Sequence, residues 1–203
     1  MMKLNKINIG IITISLIINT IFLILTLLGK YNSNILVCLS LYVIVFIPSI
    51  LTKLFRINIS ELVRFIFLIF IFIAQLLGSI IHLYDLISWF DSFVHFISGI
   101  VSSILSLQLL ILFNKHDQKK KVFNLLFSIS FTLMVASFWE IFEFSADRIF
   151  GYDAQRVLET GVYDTMKDII CALLGSLLFV VSYIYDFLFN KHRFVKFIYG
   201  IKK

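Results

Sequence analysis

Residues 7–29 have the sequence INIGIITISLIINTIFLILTLLG, in which no side chain is charged. A run of this length is sufficient for one α-helix to cross the hydrocarbon core of a bilayer, which takes roughly twenty residues. Lipid offers no hydrogen bonds to unpaired backbone groups, so a helix is the favoured structure. The run is too long for the apolar region of a signal peptide, and no small-residue cleavage site follows it. The segment therefore predicts an uncleaved transmembrane helix.

The rest of the chain is also strongly apolar. Sixty per cent of the 203 residues are hydrophobic and 15% are charged, whereas soluble domains are closer to half apolar and a quarter charged. This composition excludes a soluble globular domain and predicts an all-α, polytopic membrane bundle, a single transmembrane domain over residues 1–203. Six spans are expected, at 7–29, 34–52, 62–84, 92–113, 122–146 and 165–189. The only proline, Pro48, is expected to kink the second span or to mark where it frays.

Lysine and arginine are distributed unequally between the loops that alternate across these spans. Fourteen of the 18 fall at the N-terminus, in the second and fourth loops, and in the C-terminal tail. The positive-inside rule then places these segments, and with them both termini, in the cytoplasm. The basic residues are explained by their role in setting the membrane topology and by contact with anionic lipid. We therefore expect the protein to interact with the lipid bilayer and not with nucleic acid.

The acidic residues have the opposite bias. Nine of the 12 fall on the other side of the membrane, which the positive-inside rule does not require. Near the ends of four spans, several of these acids and two histidines follow helical spacing of three or four residues. The candidate metal-binding residues are His82, Asp85, Asp91, His95, Glu140, Glu143, Asp164 and Asp168. Ionisable groups at this depth are costly unless they are paired, hydrated or bound to metal.

The third span supplies part of this cluster. It ends with Gln75, Gly78, His82 and Asp85, whose helical spacing of three or four residues places them on one face. The corresponding face of the fourth span continues inward through Ser98, Gly99, Ser102 and Ser106. Small residues of this kind favour close packing of transmembrane helices.

Some members of the cluster have a purely structural alternative. Asp91 and Asp164 can be N-caps, and the helix dipole favours Asp168 in a first turn. Glu140 and Glu143 are harder to explain in this way, because two ionised acids one helical turn apart repel each other.

The mixture of imidazole and carboxylate groups predicts a divalent cation as cofactor. Such a set suits Zn, Mn or Fe, and an all-carboxylate subset suits Mg or Ca. The candidate catalytic residues are His95, Glu140 and Glu143, with a carboxylate or a histidine as base. Arg148 and Arg156, in the outer loop before the sixth span, are candidate ligand-binding residues for phosphate or carboxylate, although loop arginines are more often just solvated.

Three segments also carry a family resemblance. They are FDSFVHFISG at 90–99, FWEIFE at 138–143, and YDTMKD at 163–168 with Gly175 after it. Together they resemble the YjdF-type family of bacterial inner-membrane proteins over about residues 62–190, and more distantly the VanZ-like membrane proteins. The resemblance implies a multi-pass protein of the bacterial inner (cytoplasmic) membrane. It implies no reaction, and it selects Asp91, His95, Glu140, Glu143, Asp164 and Asp168.

Three functions fit these features. The first is a metal-dependent hydrolase or transferase that acts on a lipid-linked or envelope substrate at the outer leaflet. The second is an ion-coupled transporter or carrier, which is less favoured because such sites usually lie near the midplane of the bilayer. The third is a non-catalytic protein whose polar cluster binds a partner or braces the bundle.

Overall fold

The structure is a computed structural model that describes residues 2–113, 115, 120–151, 153, 155 and 157–189. Every regular element in these ranges is helical, which confirms the predicted all-α class. The elements are α1 (Met2–Leu27), α2 (Ile35–Ile44), α3 (Ile47–Phe55), α4 (Glu61–Ile71) with a π-helical continuation (Phe72–Ile80), α5 (Leu83–Leu86), α6 (Phe90–Leu112), α7 (Lys121–Phe150), α8 (Val157–Thr160) and α9 (Tyr163–Leu188).

Among the described residues, five helical segments are long and apolar enough to cross a membrane. They are α1, α4 with its π-helical continuation, α6, α7 and α9. The bent pair of α2 and α3 makes a sixth span if the pair crosses as one unit, which is the number that the hydropathy pattern predicts. The cytoplasmic location of the termini stays a prediction, and the basic C-terminal tail on which it partly depends lies outside the described residues.

The second span is bent where the sequence predicts it. The axes of α2 and α3 differ by 46°, and Pro48 lies in the first turn of α3. Proline lacks a backbone N–H and clashes with the preceding turn, so it ends one helix and is tolerated at the start of the next. The side chain of Asn34 caps α2 by accepting from the backbone N–H groups of Leu36 and Val37.

The third span ends earlier than expected. From Phe72 to Ile80 it is π-helical, and it stops before His82, whose φ of +67° is left-handed. Gln75, Gly78, His82 and Asp85, which were predicted to share one helical face, therefore do not, because the helix ends before His82 and its wider π turn changes the angle between successive side chains. Gln75 instead donates to the carbonyl of Val37 at 3.0 Å and to Ser40 Oγ at 2.7 Å.

Contacts within the described chain divide it into two units at Asp91. The first unit has a core of buried apolar side chains, namely Cys38, Leu41, Val45, Leu68, Leu76 and Ile80. Within it, Asn19 donates through Nδ2 to the carbonyl of Cys38 at 2.9 Å. Such bonds between transmembrane helices add to packing. Whether the whole chain behaves as a single domain stays a prediction.

The second unit, residues 91–189, is built on a close crossing of α6 and α9. A Cβ atom placed on Gly99 would collide with the carbonyl oxygen of Ala172, and one placed on Gly175 would collide with that of Phe96. The two backbones are therefore in direct contact, which only glycine permits. Residues 95, 99 and 103 of α6 contact 168, 172 and 176 of α9, so the two helices run in the same direction.

Candidate metal centre

The α6–α9 crossing determines where the site lies. His95 precedes Gly99 by one helical turn on α6, and Asp168 precedes Ala172 by one turn on α9. Because Gly99 lies against Ala172, the side chains one turn earlier on each helix face each other. The site is thus held by the main chain of two helices rather than by loops.

Three side chains form its centre. His95 Nε2 lies 3.6 Å from Asp91 Oδ1 and 3.9 Å from Asp168 Oδ2. One potential ligand atom from each residue lies within 4.8 Å of the other two. His95 is 8% exposed and Asp168 is 2% exposed. Metal ligands lie about 2 Å from the ion, so these three ligand atoms would have to move only slightly closer together to bind one.

Lys167 is the basic member of the site. Its ammonium group lies 2.6 Å from Asp164 Oδ1 and 3.8 Å from both Asp91 Oδ2 and Asp168 Oδ1. In the sequence, Lys167 is one of the four basic residues that do not fall among the fourteen assigned to the cytoplasmic side. The available signal was its spacing, three residues after one candidate acid and immediately before another.

The buried position of Asp164 is explained by its hydrogen bond with Lys167 and not by N-capping of α9. The N-cap position of α9 is Val162, where no side chain closes the first turn. Asp164 is the second residue of the helix, is 4% exposed, and accepts a hydrogen bond from Lys167. The N-cap alternative is therefore wrong for this aspartate.

Glu140 approaches the site from α7. Its Oε2 accepts from Gln155 Nε2 at 3.3 Å. It interacts electrostatically with Asp91 and Asp164. Its other oxygen, Oε1, is buried and has no hydrogen-bond partner among the described residues. One carboxylate oxygen of Glu140 is therefore available to a ligand.

Gln155 is a second member of the site that the sequence did not predict. It comes from the loop after α7 and is 7% exposed. Its Nε2 also donates to the carbonyl of Glu140 at 3.1 Å and to Thr165 Oγ1 at 3.3 Å, and its backbone N–H donates to Asp147 Oδ2 at 3.1 Å. A lone glutamine in a polar loop gives no signal of such burial.

Glu143 lies at the margin of the site. One of its oxygens accepts from Trp139 Nε1 at 2.8 Å, in an exposed position. It interacts electrostatically with Glu140, Asp91 and Asp168. The indole N–H thus already occupies one oxygen of Glu143, and a catalytic or metal-binding role for this residue stays a prediction.

The other predicted site residues are placed differently. His82 and Asp85 belong to the first unit and pair with each other at 3.0 Å, and His82 also contacts the carbonyl of Asn32. Arg148 lies over the ring of Phe144, 5.5 Å from its centroid. Arg156 lies outside the described residues. A role for these residues in metal or ligand binding stays a prediction.

A seam of buried hydroxyl groups continues below the site. Ser103 Oγ donates to Ser176 Oγ at 2.9 Å and lies 3.1 Å from Thr132 Oγ1. Ser128 donates to the carbonyl of Ser103 at 3.4 Å. These four side chains, from α6, α7 and α9, are at most 1% exposed. We call them the hydroxyl seam.

The fold and the site define a polytopic helical membrane protein with a buried Asp–His–Asp group. The chain belongs to the family described as "Predicted membrane protein (DUF2238)", whose model matches residues 11–187. Neither a search of curated proteins nor a search of solved structures found a match.

Proposed function

We propose that this protein binds one divalent cation through Asp91, His95 and Asp168 and uses it on a lipid-linked or envelope substrate at the outer face of the bacterial inner membrane. The observation that carries the proposal is the set of three candidate ligand atoms within 4.8 Å of one another. They come from helices whose backbones touch, so the ligands are already held near a binding geometry.

The charges around the site support a cation. Five carboxylates interact electrostatically in and beside the site, which contains one ammonium group and one imidazole. The carboxylates are those of Asp91, Asp164, Asp168, Glu140 and Glu143. Uncompensated charge at membrane depth costs several kcal/mol per group, so a bound divalent ion would stabilise the folded protein.

The donor set supports catalysis rather than a purely structural ion. Structural zinc sites are closed by four protein ligands, whereas catalytic sites have three and leave a position for water or substrate. A metal in that position lowers the pKa of bound water and polarises a phosphoryl or acyl oxygen. The unpartnered Oε1 of Glu140 is the group best placed to act as base. A mixed imidazole and carboxylate set favours Zn, Mn or Fe over Ca.

Metal analysis of the purified protein tests the cation site. We expect about one equivalent in the wild type and a large loss in His95→Ala and Asp168→Asn, since each removes a ligand. His82→Ala is the matched control, because this histidine belongs to the first unit and should leave the metal content unchanged. Negligible metal in the wild type, or full retention in His95→Ala, would contradict the site.

Lipid analysis of cells tests the reaction. Cells that express the wild type should differ in a lipid-linked or envelope species from cells that express Glu140→Gln at the same level. The variant should retain metal, because Glu140 is outside the ligand triad, and should lose the chemical step. An identical lipid and envelope profile in both strains would argue against catalysis at this site.

We also propose that the family is the YjdF-type group of bacterial inner-membrane proteins. The segments that carry that resemblance, 90–99, 138–143 and 163–168, all lie within the matched residues 11–187. The same segments supply Asp91, His95, Glu140 and Asp168.

An ion-coupled transporter is the second candidate, and the hydroxyl seam favours it. Buried hydroxyl groups between transmembrane helices are also a common means of packing, so the seam alone does not decide. Proteoliposome uptake driven by a proton or cation gradient distinguishes the two. A transporter predicts that Ser103→Ala with Ser176→Ala slows uptake, whereas Ser182→Ala does not, because Ser182 is only partly buried and its hydroxyl bonds a carbonyl of its own helix.

A further inference from the structure

In both Asp91 and Asp168, one carboxylate oxygen lies near His95 and the other lies near Lys167. On the histidine side, Asp91 Oδ1 and Asp168 Oδ2 lie 3.6 and 3.9 Å from His95 Nε2. On the lysine side, the opposite oxygens, Asp91 Oδ2 and Asp168 Oδ1, each lie 3.8 Å from Lys167 Nζ. Each carboxylate therefore forms ion pairs with both the imidazole and the ammonium group, and these are not hydrogen bonds, since the buried Asp168 Oδ1 has no hydrogen-bond partner among the described residues.

We infer that Lys167 is a positioning residue that holds the far oxygens of Asp91 and Asp168 while a divalent cation binds their near oxygens beside His95. The inference rests on the proposed function and deepens it by naming a partner of the same site. Carboxylate ligands of metals are generally held by such outer partners, whose loss typically costs ten- to a hundredfold in metal affinity.

The position of the ammonium group argues against the simpler view that Lys167 takes the place of the cation. Its shortest contact is with Asp164, at 2.6 Å, and Asp164 is not part of the ligand triad. This third carboxylate gives the ammonium group a contact more than 1 Å shorter than either of its contacts with the ligand triad. A cation beside His95 and an ammonium group beside Asp164 can then occupy the site together.

Lys167 would also restrict the site to a single cation. Asp91, Asp164 and Asp168 together offer enough oxygens on the lysine side for a second ion, which would give the bridged pair seen in two-metal enzymes. The ammonium group fills that side and supplies one positive charge, so one divalent ion remains to be bound.

The test is Mn²⁺ binding to the full chain in detergent, followed by electron paramagnetic resonance. We expect Lys167→Met to weaken Mn²⁺ binding ten- to a hundredfold and Lys167→Arg, which keeps the charge, to stay within about threefold of the wild type. Lys30→Met is the control, because Lys30 is an exposed basic residue of the first unit. Circular dichroism confirms that each variant is folded.

The outcomes separate this inference from the proposed function. Equal or tighter Mn²⁺ binding by Lys167→Met would overturn the role of Lys167 and leave the cation site in place. Binding by Lys167→Met with none by the wild type would mean that the ammonium group occupies the cation's position, and would overturn both. Binding by neither protein would overturn the proposed function, and the role of Lys167 with it.

Discussion

At the scale of single residues, Gln155 has an unusual share of the hydrogen bonds around the site. The side-chain amide of Gln155 donates to the backbone carbonyl of Glu140, to the carboxylate of the same residue, and to the hydroxyl of Thr165. A loop residue thereby joins the end of α7 to the start of α9. Its loss would leave buried acceptors without their donor, which costs more than the net value of the bonds themselves.

We therefore expect Gln155→Ala to lower the free energy of unfolding by about 1–3 kcal/mol. Thermal unfolding in detergent gives the measurement. Ser145→Ala is the comparison, because Ser145 bonds the carbonyl of Ile141 in its own helix and is only partly buried, so its effect should stay within about 0.5 kcal/mol. Equal stability of the two variants would show that the Gln155 bonds do not hold the loop.

The residues of the site were partly predictable from sequence. Spacing and side-chain chemistry identified Asp91, His95 and Asp168 as candidate ligands, and the structure brings these three together. Lys167 and Gln155 could not be identified in the same way. Their roles depend on how far α9 is rotated and on where a loop enters the bundle, and a local pattern specifies neither.

At the scale of helices, the contact between Gly99 and Ala172 and that between Gly175 and Phe96 connect packing to the site. Gly99→Ala or Gly175→Ala must separate the two helices, because the added Cβ meets a backbone oxygen that cannot rotate away. We expect each variant to lose about 1–3 kcal/mol of stability and to bind Mn²⁺ more weakly than the wild type.

Gly10→Ala is the control for these glycines. Gly10 lies within α1, and its added Cβ would have nothing within 4 Å. Alanine there should be neutral or stabilising, by up to about 1 kcal/mol, because glycine has the lower helix propensity. The same thermal and Mn²⁺ measurements apply. If Gly99→Ala behaved like Gly10→Ala, close backbone contact would not be what positions the ligands.

The positions of the helices were more predictable from the sequence than the backbone geometry within each helix. Hydropathy indicated six spans, and proline indicated the bend between α2 and α3. The π-helical segment Phe72–Ile80 was not predicted, because an apolar run has the same hydropathy whichever backbone hydrogen-bond pattern it adopts. Its departure from α-helical geometry removed His82 from the face on which sequence spacing placed it.

At the scale of the whole molecule, the number of crossings decides which loops share a side of the membrane. If the bent pair of α2 and α3 crosses as one span, Lys30 and Glu159 are on the same side, and Lys120 is on the other. If the pair is re-entrant, Lys30 and Glu159 are on opposite sides. The positive-inside rule adds that the side with Lys120 is the cytoplasm.

Cysteine labelling measures this arrangement, in a background where Cys38 and Cys171, the only two cysteines, are replaced by alanine. We expect Lys30→Cys and Glu159→Cys to react with an impermeant maleimide in intact cells, and Lys120→Cys to react only after permeabilisation. Labelling of only one of the first two in intact cells would show that α2 and α3 do not cross.

The touching backbones of α6 and α9 also have a consequence for sequence length. One residue inserted between His95 and Gly99 would turn His95 by about 100° around the helix axis while the glycine contact stayed in place. The imidazole would then point away from Asp168, with every original side chain still present. The intervals 95–99 and 168–172 should therefore tolerate substitution on their outer faces but neither insertion nor deletion, so in related chains their length should vary less than their composition.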